Sequence, residues 1–566
     1  MPSSAQIRYT LRLMDDRERL ILGIFVILAI IGFIGTLNAI NAKISNIAPA
    51  PGGVWREGIV GNPHFINPLL AISDPDRDLT SLIYSGLLRP DGKGNLVPDL
   101  AERYEISPDG LSYTFYIKDR AEFQDGKPVT ADDVLFTINL AKNPDLKSPA
   151  RANWEGVDLE KVNDKTVRFW LKHPYAELPE NMTLGILPQH IWKDVAPEQI
   201  SLAQFNVKPI GAGPYEAVNV SIAASGVINS YTLEPFYKWT GGAPYISKMI
   251  LTFYPSEVEL INSYLAHEID ALAAISPQNI QKVLRRAGKL EKLTLPKTFA
   301  IFFNQNKNNI FVDKSVREAF SLATNKKRII NEVFQNYAEP LSSPIPPGTF
   351  GAIEASSSAF DLKAASNILG KNGWKKNPNN GIYEKTDSKK KTTSQLAFSI
   401  TTSNAPDLVR VANILKENWI ALGARVDVKV FEVADLKENV IRPRNYDALL
   451  FGEIVSDPFA FWHSSQRNDP GYNIAMYTSS SADKILEEAR TLANPEEREK
   501  KLELFQQQVI KDNPAIFLYS PYFLYVTPNE LKGFNTSHIS IPSERFANIA
   551  SWHFQNVYIW KIFHSK

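Results

Sequence analysis

The chain has 566 residues, of which 44% are hydrophobic and 22% are charged, a composition typical of folded proteins with two or three domains. Lysine and arginine number 62 against 61 aspartate and glutamate residues, so the net charge gives no reason to expect nucleic acid or another polyanion as a partner. The absence of cysteine excludes disulfides, thiolate zinc sites, cysteine nucleophiles and a lipid attached to an N-terminal cysteine.

A long apolar segment lies near the N-terminus. Residues 20–40 include only two polar side chains, Thr36 and Asn38, and as a helix they would measure about 31 Å, enough to cross a bilayer. Arginines precede this segment and only Lys43 follows it closely, so the positive-inside rule predicts that residues 1–19 lie in the cytoplasm and the remainder outside. The arginines are Arg8, Arg12, Arg17 and Arg19.

The same segment has an alternative interpretation as a cleaved signal peptide. Signal peptides usually have an apolar region of about 7–15 residues and then a cleavage site with small residues, whereas this segment is longer and no clear cleavage site follows it. We therefore predict an uncleaved transmembrane anchor at residues 20–40. Residues 41–56, with two prolines, two glycines and little periodicity, are predicted to be a flexible tether that reaches about 20 Å.

Strand and helix patterns alternate through the rest of the chain. Residues 111–118 alternate apolar and polar side chains as a strand does, and a helical pattern follows at 129–142. Two further helices are predicted at 316–334 and 495–512, the second with Asn494 as its N-cap. The chain therefore mixes α and β structure.

A compact βαβ pattern lies in the second half of the chain. A strand is predicted at 396–403, a helix that stops at Gly423 follows it, and a second strand is predicted at 424–433. The apolar residues on one face of that helix are Leu408, Val411, Ala412, Leu415, Trp419 and Leu422. Residues 446–452 are predicted to be a neighbouring strand of the same sheet.

Carboxylates follow this last strand. Glu453 and Asp457 come soon after it, and in open α/β sheets ligands bind where loops leave the carboxyl ends of strands. Asp457 and Pro458 could equally form only a turn, and the aromatic residues beyond them could be local core. Those aromatic residues are Phe459, Phe461 and Trp462. From these residues alone both interpretations stay open.

Several ordered sequence blocks are shared with a known family. The most specific is "NLVPDLAERYEISPDGLSYTFYIKDRAEFQDGKPVTADDVLFTI" at residues 95–138. Further blocks occur in the order expected for the family, one before this block at residues 65–89 and the others after it at residues 186–192, 209–215, 302–330 and 514–521. With these blocks the chain, from about residue 55 to its C-terminus, resembles the family 5 extracellular solute-binding proteins, the peptide- and nickel-type receptors of ABC transporters.

The resemblance implies an α/β fold with two lobes that close on a ligand like a clamshell. It also implies an extra domain inserted early in the chain, and here one transmembrane helix precedes both. The implied ranges are 57–88, 180–300 and 515–566 for lobe I, 89–179 for the inserted domain and 301–514 for lobe II. Closure presents the occupied receptor to a membrane permease driven by cytoplasmic ATPases.

The implied function is a membrane-anchored, extracytoplasmic substrate-binding subunit of an ABC importer for peptides. The expected partners are a peptide, the permease subunits with their ATPases, and the membrane through residues 20–40, with no nucleic acid. We expect a monomer. Two alternatives stay open: a receptor for a non-peptide solute such as a metal complex, opine or sugar, and a sensory receptor without transport.

The resemblance also implies where a ligand binds. Peptide-binding relatives place an acidic side chain slightly before an acid–proline turn, where it pairs with the α-amino group of the ligand. The three residues before Asp457 carry no charge, so this acid is either Glu453 or Asp457 itself. Near the position where some oligopeptide binders have a carboxylate-binding arginine, this chain has Leu450.

Two further segments, a predicted turn at 71–76 and the segment 302–306, lie near the cleft in relatives, where extended backbone can hydrogen-bond a ligand. Asn304 could contact ligand or hold the hinge, and Trp462 could line a pocket or pack in the core. The glycines of 209–215 are expected to permit a tight crossing between domains. The predicted ligand-binding residues are Ser73, Asp74, Phe303, Asn304, Glu453, Ile454, Asp457 and Trp462.

No sequence signature supports a catalytic function. The P-loop, H-E-x-x-H and G-x-S-x-G motifs are absent, and the eight histidines are scattered along the chain. His463 lies close to the candidate loop and could assist binding of a metal or haem, although a surface or hydrogen-bonding role is the more ordinary one. We expect neither an enzyme nor a bound cofactor.

Overall fold

The structure is a computed structural model that describes residues 9, 13–354, 359–387, 392–454, 457–492 and 494–560. Contacts divide the chain into two units. One unit combines Met1–Gly53 with His553–Lys566, and the other is Val54–Trp552.

The first unit contains a long helix and a pair of strands. The helix is Asp16–Ile44, and within the described residues its part Asp16–Leu37 is the one segment long and apolar enough to cross a membrane. It leads directly into strand Ser45–Ala50, which pairs antiparallel with Gln555–Trp560. The prediction of a flexible tether at 41–56 is therefore wrong for this strand, because its backbone groups are hydrogen-bonded to the partner strand.

The second unit contains two large sheets. The seven-stranded sheet, which with its helices we call the first lobe, has the strand order Lys289–Leu293, Phe523–Thr527, Ala271–Ala273, Val54–Val60, Lys248–Tyr254, Ile228–Pro235 and Tyr215–Ile222. The six-stranded sheet, which we call the second lobe, has the order Ala338–Pro340, Ala515–Pro521, Lys297–Phe303, Ala448–Ile454, Ala397–Ser403 and Arg425–Phe431.

Smaller sheets complete the described part of this unit. A four-stranded antiparallel sheet lies between the first two large-sheet strands in sequence, and we call it the inserted domain; its strands are Ala101–Ile106, Ser112–Ile117, Thr166–Leu171 and Val157–Asn163. Leu88–Pro90 pairs with Leu96–Pro98, and a three-stranded sheet combines Lys375–Lys376, Tyr383–Asp387 and Thr392–Gln395.

The α-helices of the second unit cover the faces of these sheets. They are Asp74–Ile83, Ala131–Lys142, Leu178–Asn181, Gln189–Trp192, Glu257–Leu265, Ile280–Val283, Lys314–Leu322, Lys326–Phe334, Leu362–Lys371, Pro406–Leu422, Val433–Asp435, Pro458–Trp462, Ser480–Thr491 and Pro495–Asp512. The predicted helix at 495–512 is confirmed, and Asn494 Oδ1 accepts hydrogen bonds from the backbone of Glu496 and Glu497 at 2.9 and 3.3 Å.

The predicted βαβ pattern is confirmed. Ala397–Ser403 pairs in parallel with both Arg425–Phe431 and Ala448–Ile454, and Pro406–Leu422 connects the first two strands. The six apolar residues predicted on one face of that helix are all buried. Gly423 ends the helix with φ +117°, a backbone conformation that favours glycine.

The single helix predicted at 316–334 is two helices in the structure. The break falls at Asn325, whose side-chain oxygen accepts a hydrogen bond from the backbone of Arg328 at 2.9 Å and so caps the second helix. Asparagine competes with the backbone for such bonds, which makes it a better cap than a helix-interior residue.

Two neighbouring crossings join the lobes within the described residues. Strand Lys289–Leu293 of the first lobe continues into Lys297–Phe303 of the second, and Ala515–Pro521 of the second continues into Phe523–Thr527 of the first. These strands pair antiparallel on both sides of the crossing, and Ser520 Oγ donates a hydrogen bond to the Leu295 carbonyl at 3.1 Å. The paired crossing is thus a two-stranded connection.

This pairing corrects two predicted boundaries. The ranges 180–300 and 515–566 placed residues 297–300 and 515–521 in lobe I, whereas their hydrogen bonds join them to the six-stranded sheet. Strand boundaries at a crossing depend on which partner each strand finds, and the sequence of a buried strand does not identify that partner.

The glycines of 209–215 allow a close backbone approach, as predicted. A Cβ on Gly211 would lie 2.0 Å from the Ile83 carbonyl oxygen, and one on Gly213 would lie 2.6 Å from the Ile83 carbonyl carbon. Gly213 donates its N–H to that carbonyl at 2.8 Å. Only glycine leaves room for this contact.

A buried ion network fixes the C-terminal segment to the first lobe. Arg545 is 1% exposed, and its Nη1 and Nη2 atoms donate to the two carboxylate oxygens of Asp78, each at 2.6 Å. Its Nε donates to Glu57 Oε1 at 2.9 Å, while Tyr525 Oη donates to Glu57 Oε2 at 2.8 Å. Burial raises the pKa of Asp78 to about 6 against the opposing charge of Arg545.

We predict that Arg545→Met lowers the free energy of unfolding by about 3–5 kcal/mol, because it leaves two buried carboxylates without their cation. Urea unfolding of the full chain in detergent, followed by tryptophan fluorescence, measures the change. The control Arg328→Met removes a partly exposed cation that lies 2.8 Å from both Glu332 and Glu417, and it is expected to cost about 1 kcal/mol or less. Equal losses in the two variants would contradict the importance of the buried network.

Candidate functional site

Glu453 lies at the end of the second-lobe strand that meets the crossing. The strand Ala448–Ile454 runs antiparallel to Lys297–Phe303, with Glu453 opposite Thr298. The Glu453 side chain is on the same face of the sheet as Leu449 and Phe451 and is 6% exposed. Within the described chain, no hydrogen bond or ion pair reaches its carboxylate, which is therefore buried without a partner.

The surroundings of Glu453 disfavour its charge. Burial raises the pKa of Glu453 well above its ordinary value, and the positive charge of Arg444 only partly opposes this. The Arg444 guanidinium donates its hydrogen bonds elsewhere, to the carbonyls of Ile441, Arg467 and Gly471 at 2.7, 2.8 and 2.6 Å. A cationic group that reached the carboxylate from outside would relieve the cost of burying it.

Lys297 lies at the same end of the sheet, opposite Ile454 in the strand register. Burial lowers the pKa of Lys297, and the negative charge of Asp74 from the first lobe opposes that shift. The structure thus brings Asp74 close to the crossing, where the strand that carries Glu453 ends. No local pattern singles out Lys297, which follows a proline in an otherwise ordinary strand.

The segment at 71–76 is the start of a helix and not the predicted turn. Ser73 is the N-cap of Asp74–Ile83: its Oγ accepts a hydrogen bond from the Asp76 backbone at 3.2 Å and donates one to Asp76 Oδ2 at 2.7 Å. The hydroxyl of Ser73 is therefore engaged in the cap, while the side chain of Asp74 is exposed.

Phe303 and Asn304 lie at the opposite end of the strand from Glu453. Phe303 lies six residues after Lys297 in extended chain, a distance of about 20 Å. Phe303 is fully buried beside Phe311, with ring centroids 4.6 Å apart. Asn304 Nδ2 donates to the Arg444 carbonyl at 2.9 Å, and its Oδ1 accepts from two backbone N–H groups. Asn304 therefore holds a loop that is remote from the crossing.

Asp457 and Trp462 belong to the short helix Pro458–Trp462. Asp457 caps this helix by accepting a hydrogen bond from the Phe459 backbone at 2.9 Å. Trp462 is 1% exposed and packs in the second-lobe core against Phe302 and Phe517. The backbone of Ile454 ends the strand, while residues 455 and 456 lie outside the described residues.

His463 has the hydrogen-bonding environment that is ordinary for histidine. Its Nδ1 lies 2.7 Å from Ser465 Oγ, its Nε2 lies 3.3 Å from Glu487 Oε1, and its ring stacks on Phe459 with centroids 4.1 Å apart. Across the ranges that the structure describes, no cluster of three or more histidine, aspartate or glutamate side chains could hold a metal ion.

A second group of residues, most of them charged, joins the end of the inserted domain to the second lobe. Tyr175 and Glu177 follow the last strand of the inserted domain, whereas Asp457 and Arg490 belong to the second lobe. Arg490 Nε lies 3.6 Å from Asp457 Oδ2, and the guanidinium packs over the rings of Tyr175 and Phe459. The backbone N–H of Ala176 donates to the Arg490 carbonyl at 3.3 Å. With Arg498, we call Tyr175, Glu177, Asp457 and Arg490 the interlobe cluster, because it joins the second lobe to the segment that leads from the inserted domain back to the first lobe.

The carboxylates of the interlobe cluster repel one another. Burial, followed by the charges of Asp457 and Glu180, raises the pKa of Glu177 to about 8, although Arg498 and Arg490 oppose the shift. Burial likewise raises the pKa of Asp457. Because the cluster combines residues 175–177 with residues 457–498, and these two groups are 280 residues apart in sequence, pattern reasoning could not find it.

We predict that contact between the lobes weakens as the pH rises. Because its pKa is raised to about 8, Glu177 binds more protons when the two sides are in contact than when they are apart. Its contribution to the stability of the contact is therefore complete below about pH 4.5 and is lost as the pH rises through about 8. Spin labels on Lys172→Cys and Lys484→Cys, both exposed, report the interlobe distance in this otherwise cysteine-free chain. The population at short distance is expected to fall with pH.

Glu177→Gln should make this pH dependence shallower, because it removes one titrating group from the interface. Glu155→Gln, an exposed position that follows the inserted domain's helices, is the control and should leave it unchanged. An interlobe distance that is independent of pH in the unmodified protein would contradict the prediction.

We also predict that Glu453→Gln stabilises the unliganded protein at pH 7. The substitution removes the cost of burying a carboxyl group that is ionised in the unfolded chain at this pH, so the free energy of unfolding should rise by about 1–3 kcal/mol. Urea unfolding measures the change, with Glu487→Gln as the exposed control. A loss of stability in Glu453→Gln would show that the carboxylate has a stabilising partner and would contradict the assignment.

Comparison with known proteins identifies relatives of the chain. Residues 95–503 match the family "Bacterial extracellular solute-binding proteins, family 5 Middle". The oligopeptide-binding protein AppA of Bacillus subtilis is 28% identical over 526 residues, which cover 90% of this chain and 93% of AppA.

Solved structures share the fold. AppA from Bacillus subtilis in complex with a nonapeptide has a TM-score of 0.66 and 27% identity, covering 89% of this chain and 99% of the AppA chain. NikZ from Campylobacter jejuni in complex with Ni(L-His) has a TM-score of 0.68 and 26% identity, again covering 89% and 99%. The predicted two-lobed α/β fold is confirmed, and these relatives are binding proteins and not enzymes.

Proposed function

The chain belongs to the bacterial extracellular solute-binding proteins of family 5, and we propose that it is the membrane-anchored peptide-binding subunit of an ABC importer. The observation that carries the proposal is the Glu453 carboxylate, buried at the crossing end of a second-lobe strand with no partner in the described chain. In this proposal, the N-terminal ammonium of a peptide is the missing partner.

The physical basis is the cost of isolated buried charge. A carboxylate removed from water without a partner destabilises the protein, and so does an ammonium sealed in a closed cleft. When the two meet, a charge-assisted hydrogen bond offsets both costs. The empty protein therefore bears a cost that an amine-bearing ligand relieves.

Peptide is favoured over a metal complex for two reasons. AppA, which is named for oligopeptide binding, is similar to this chain over nearly its whole length. In addition, an amino acid whose amine nitrogen ligates a metal carries no ammonium, so it would leave Glu453 unpaired. A nickel–histidine complex of the kind in the NikZ structure is the second candidate.

Closure follows from contacts made by both lobes. Asp74 approaches the crossing from the first lobe and Glu453 from the second, so a ligand between them gains both sets of contacts only in the closed form. Differential affinity of this kind shifts the population toward closure. The interlobe cluster then supplies protein–protein contacts, and we propose that the closed form docks on the permease.

The apolar helix at the N-terminus supports anchoring. Its apolar part is long enough to span the hydrocarbon core, and arginines precede it. An anchor keeps the receptor at high effective concentration near its permease. A lipid on an N-terminal cysteine would have the same effect, but this chain has no cysteine to carry one.

Peptides with free and acetylated N-termini test the function. We predict that a pool of nonapeptides with free N-termini binds and that the same pool after N-acetylation binds about 30-fold or more weakly, because acetylation removes the ammonium. Native mass spectrometry identifies a retained peptide, and isothermal titration calorimetry measures its affinity in both forms.

The variant Glu453→Gln should lose most of this discrimination, while Glu487→Gln should keep it. Equal affinity for free and acetylated peptides in the unmodified protein would contradict pairing with an ammonium. If Asp457→Asn lost the preference for free over acetylated peptides and Glu453→Gln kept it, the pairing with the ammonium would be assigned to Asp457. Binding of nickel with histidine, and of no peptide, would favour the second candidate.

A further inference from the structure

The strand pair beyond the apolar helix carries an exposed apolar face. Ile47 lies directly opposite Tyr558, and Ser45 lies opposite Trp560. Since side chains alternate between the faces of a strand, Ile47, Tyr558 and Trp560 share one face. They are 62%, 59% and 48% exposed, respectively, whereas Ser45, on the same face beside the helix, is buried.

The strand pair is also too small to be expected to be stable in water by itself. It is a two-stranded sheet that joins residues far apart in sequence, and no third strand of the described chain extends it. Isolated two-stranded sheets are marginally stable in water and usually need another surface to pack against. Ile47 and Tyr558, the two most exposed apolar residues of this face, are where such a surface could pack.

The position of the pair relative to the apolar helix indicates what that surface is. The helix ends at Ile44 and the strand begins at Ser45, with no residue between them. From residue 40, where the apolar segment ends, to residue 45 is about 7–8 Å of helix. The headgroup layer on each side of a bilayer is about 5–8 Å thick, so the strand pair begins within it.

The residue types fit that layer. Tryptophan and tyrosine concentrate at the membrane–water interface, because their rings are apolar at one end and hydrogen-bond at the other. We propose that Ile47, Tyr558 and Trp560 form an interfacial platform that rests in the headgroup region of the membrane crossed by the helix. The inference rests on the proposed anchor, and it gives the C-terminal strand a role in holding the chain against the lipid.

Spin-label accessibility in lipid vesicles tests the platform. The chain has no cysteine, so single substitutions can be labelled specifically in the full-length protein in vesicles of phosphatidylcholine and phosphatidylglycerol. Ile47→Cys reports the proposed lipid-facing side, and Asn46→Cys, the exposed neighbour on the other face, is its matched control. Leu28→Cys in the apolar helix and Leu202→Cys, 84% exposed, are the lipid and water references.

The measured quantity is the ratio of collision rates with oxygen, which concentrates in lipid, and with a water-soluble nickel chelate. This ratio should be several-fold higher at position 47 than at position 46, and intermediate between the two references. Adding Tyr558→Ser and Trp560→Ser should lower it at position 47 to the value at position 46. The conservative pair Tyr558→Phe and Trp560→Tyr should retain it, which separates loss of the aromatic rings from loss of the strands.

The references separate this inference from the proposed anchor. A ratio at position 47 equal to that of Leu202→Cys, with Leu28→Cys in lipid, would overturn the platform and leave the anchor standing. An aqueous value for Leu28→Cys would overturn both. A ratio at position 47 that the serine substitutions leave unchanged would also overturn the role of the two aromatic residues.

Discussion

The paired crossing between the two large sheets positions everything else in the second unit. Two strands pass from one lobe to the other side by side and stay hydrogen-bonded in each sheet, near Leu295 and Ser520. Such a connection lets the lobes rotate about a short segment while it resists separation. It also brings the start of Lys297–Phe303 and the end of Ala448–Ile454 to the junction, where a ligand between the lobes would lie.

Two ionisable side chains at that junction, Glu453 and Lys297, are buried, and burial destabilises their charged forms. The pKa of Glu453 is raised and that of Lys297 is lowered, in both cases because burial disfavours the charged form. Marginal stability makes each such group significant, since a few kcal/mol is a large fraction of the total. Costs of this kind are typical of sites that gain their partners from a ligand.

The ion network around Arg545 shows the opposite arrangement. There the carboxylates of Glu57 and Asp78 share one arginine, and Glu57 also accepts hydrogen bonds from the side chains of Trp55 and Tyr525. The contrast between this network and Glu453 distinguishes a buried charge that supports the fold from one for which we propose a ligand as the partner. Both kinds of carboxylate lie inside the same unit, and only their partners differ.

Local patterns in the sequence predicted the parts of the fold that depend on local physics. The buried face of Pro406–Leu422 and the cap at Asn494 follow from periodicity and capping chemistry, and both are confirmed. A helix cap and a turn use the same residue types, so sequence alone does not distinguish the cap at Ser73 from a turn, and only resemblance connects Asn304 with the cleft. Strand partners, such as Ser45–Ala50 with Gln555–Trp560, depend on contacts between distant residues that no local pattern contains.

The ionisation of Glu453 in the empty and the occupied protein tests the central claim most directly. Carbon-13 labelling of glutamate side chains, with the signal assigned by its loss in Glu453→Gln, allows NMR titration of this one carboxyl group. Our account predicts a pKa well above the ordinary value in the empty protein and a clear fall when a peptide with a free N-terminus binds. An ordinary pKa in the empty protein, or one that peptide binding leaves unchanged, would contradict it.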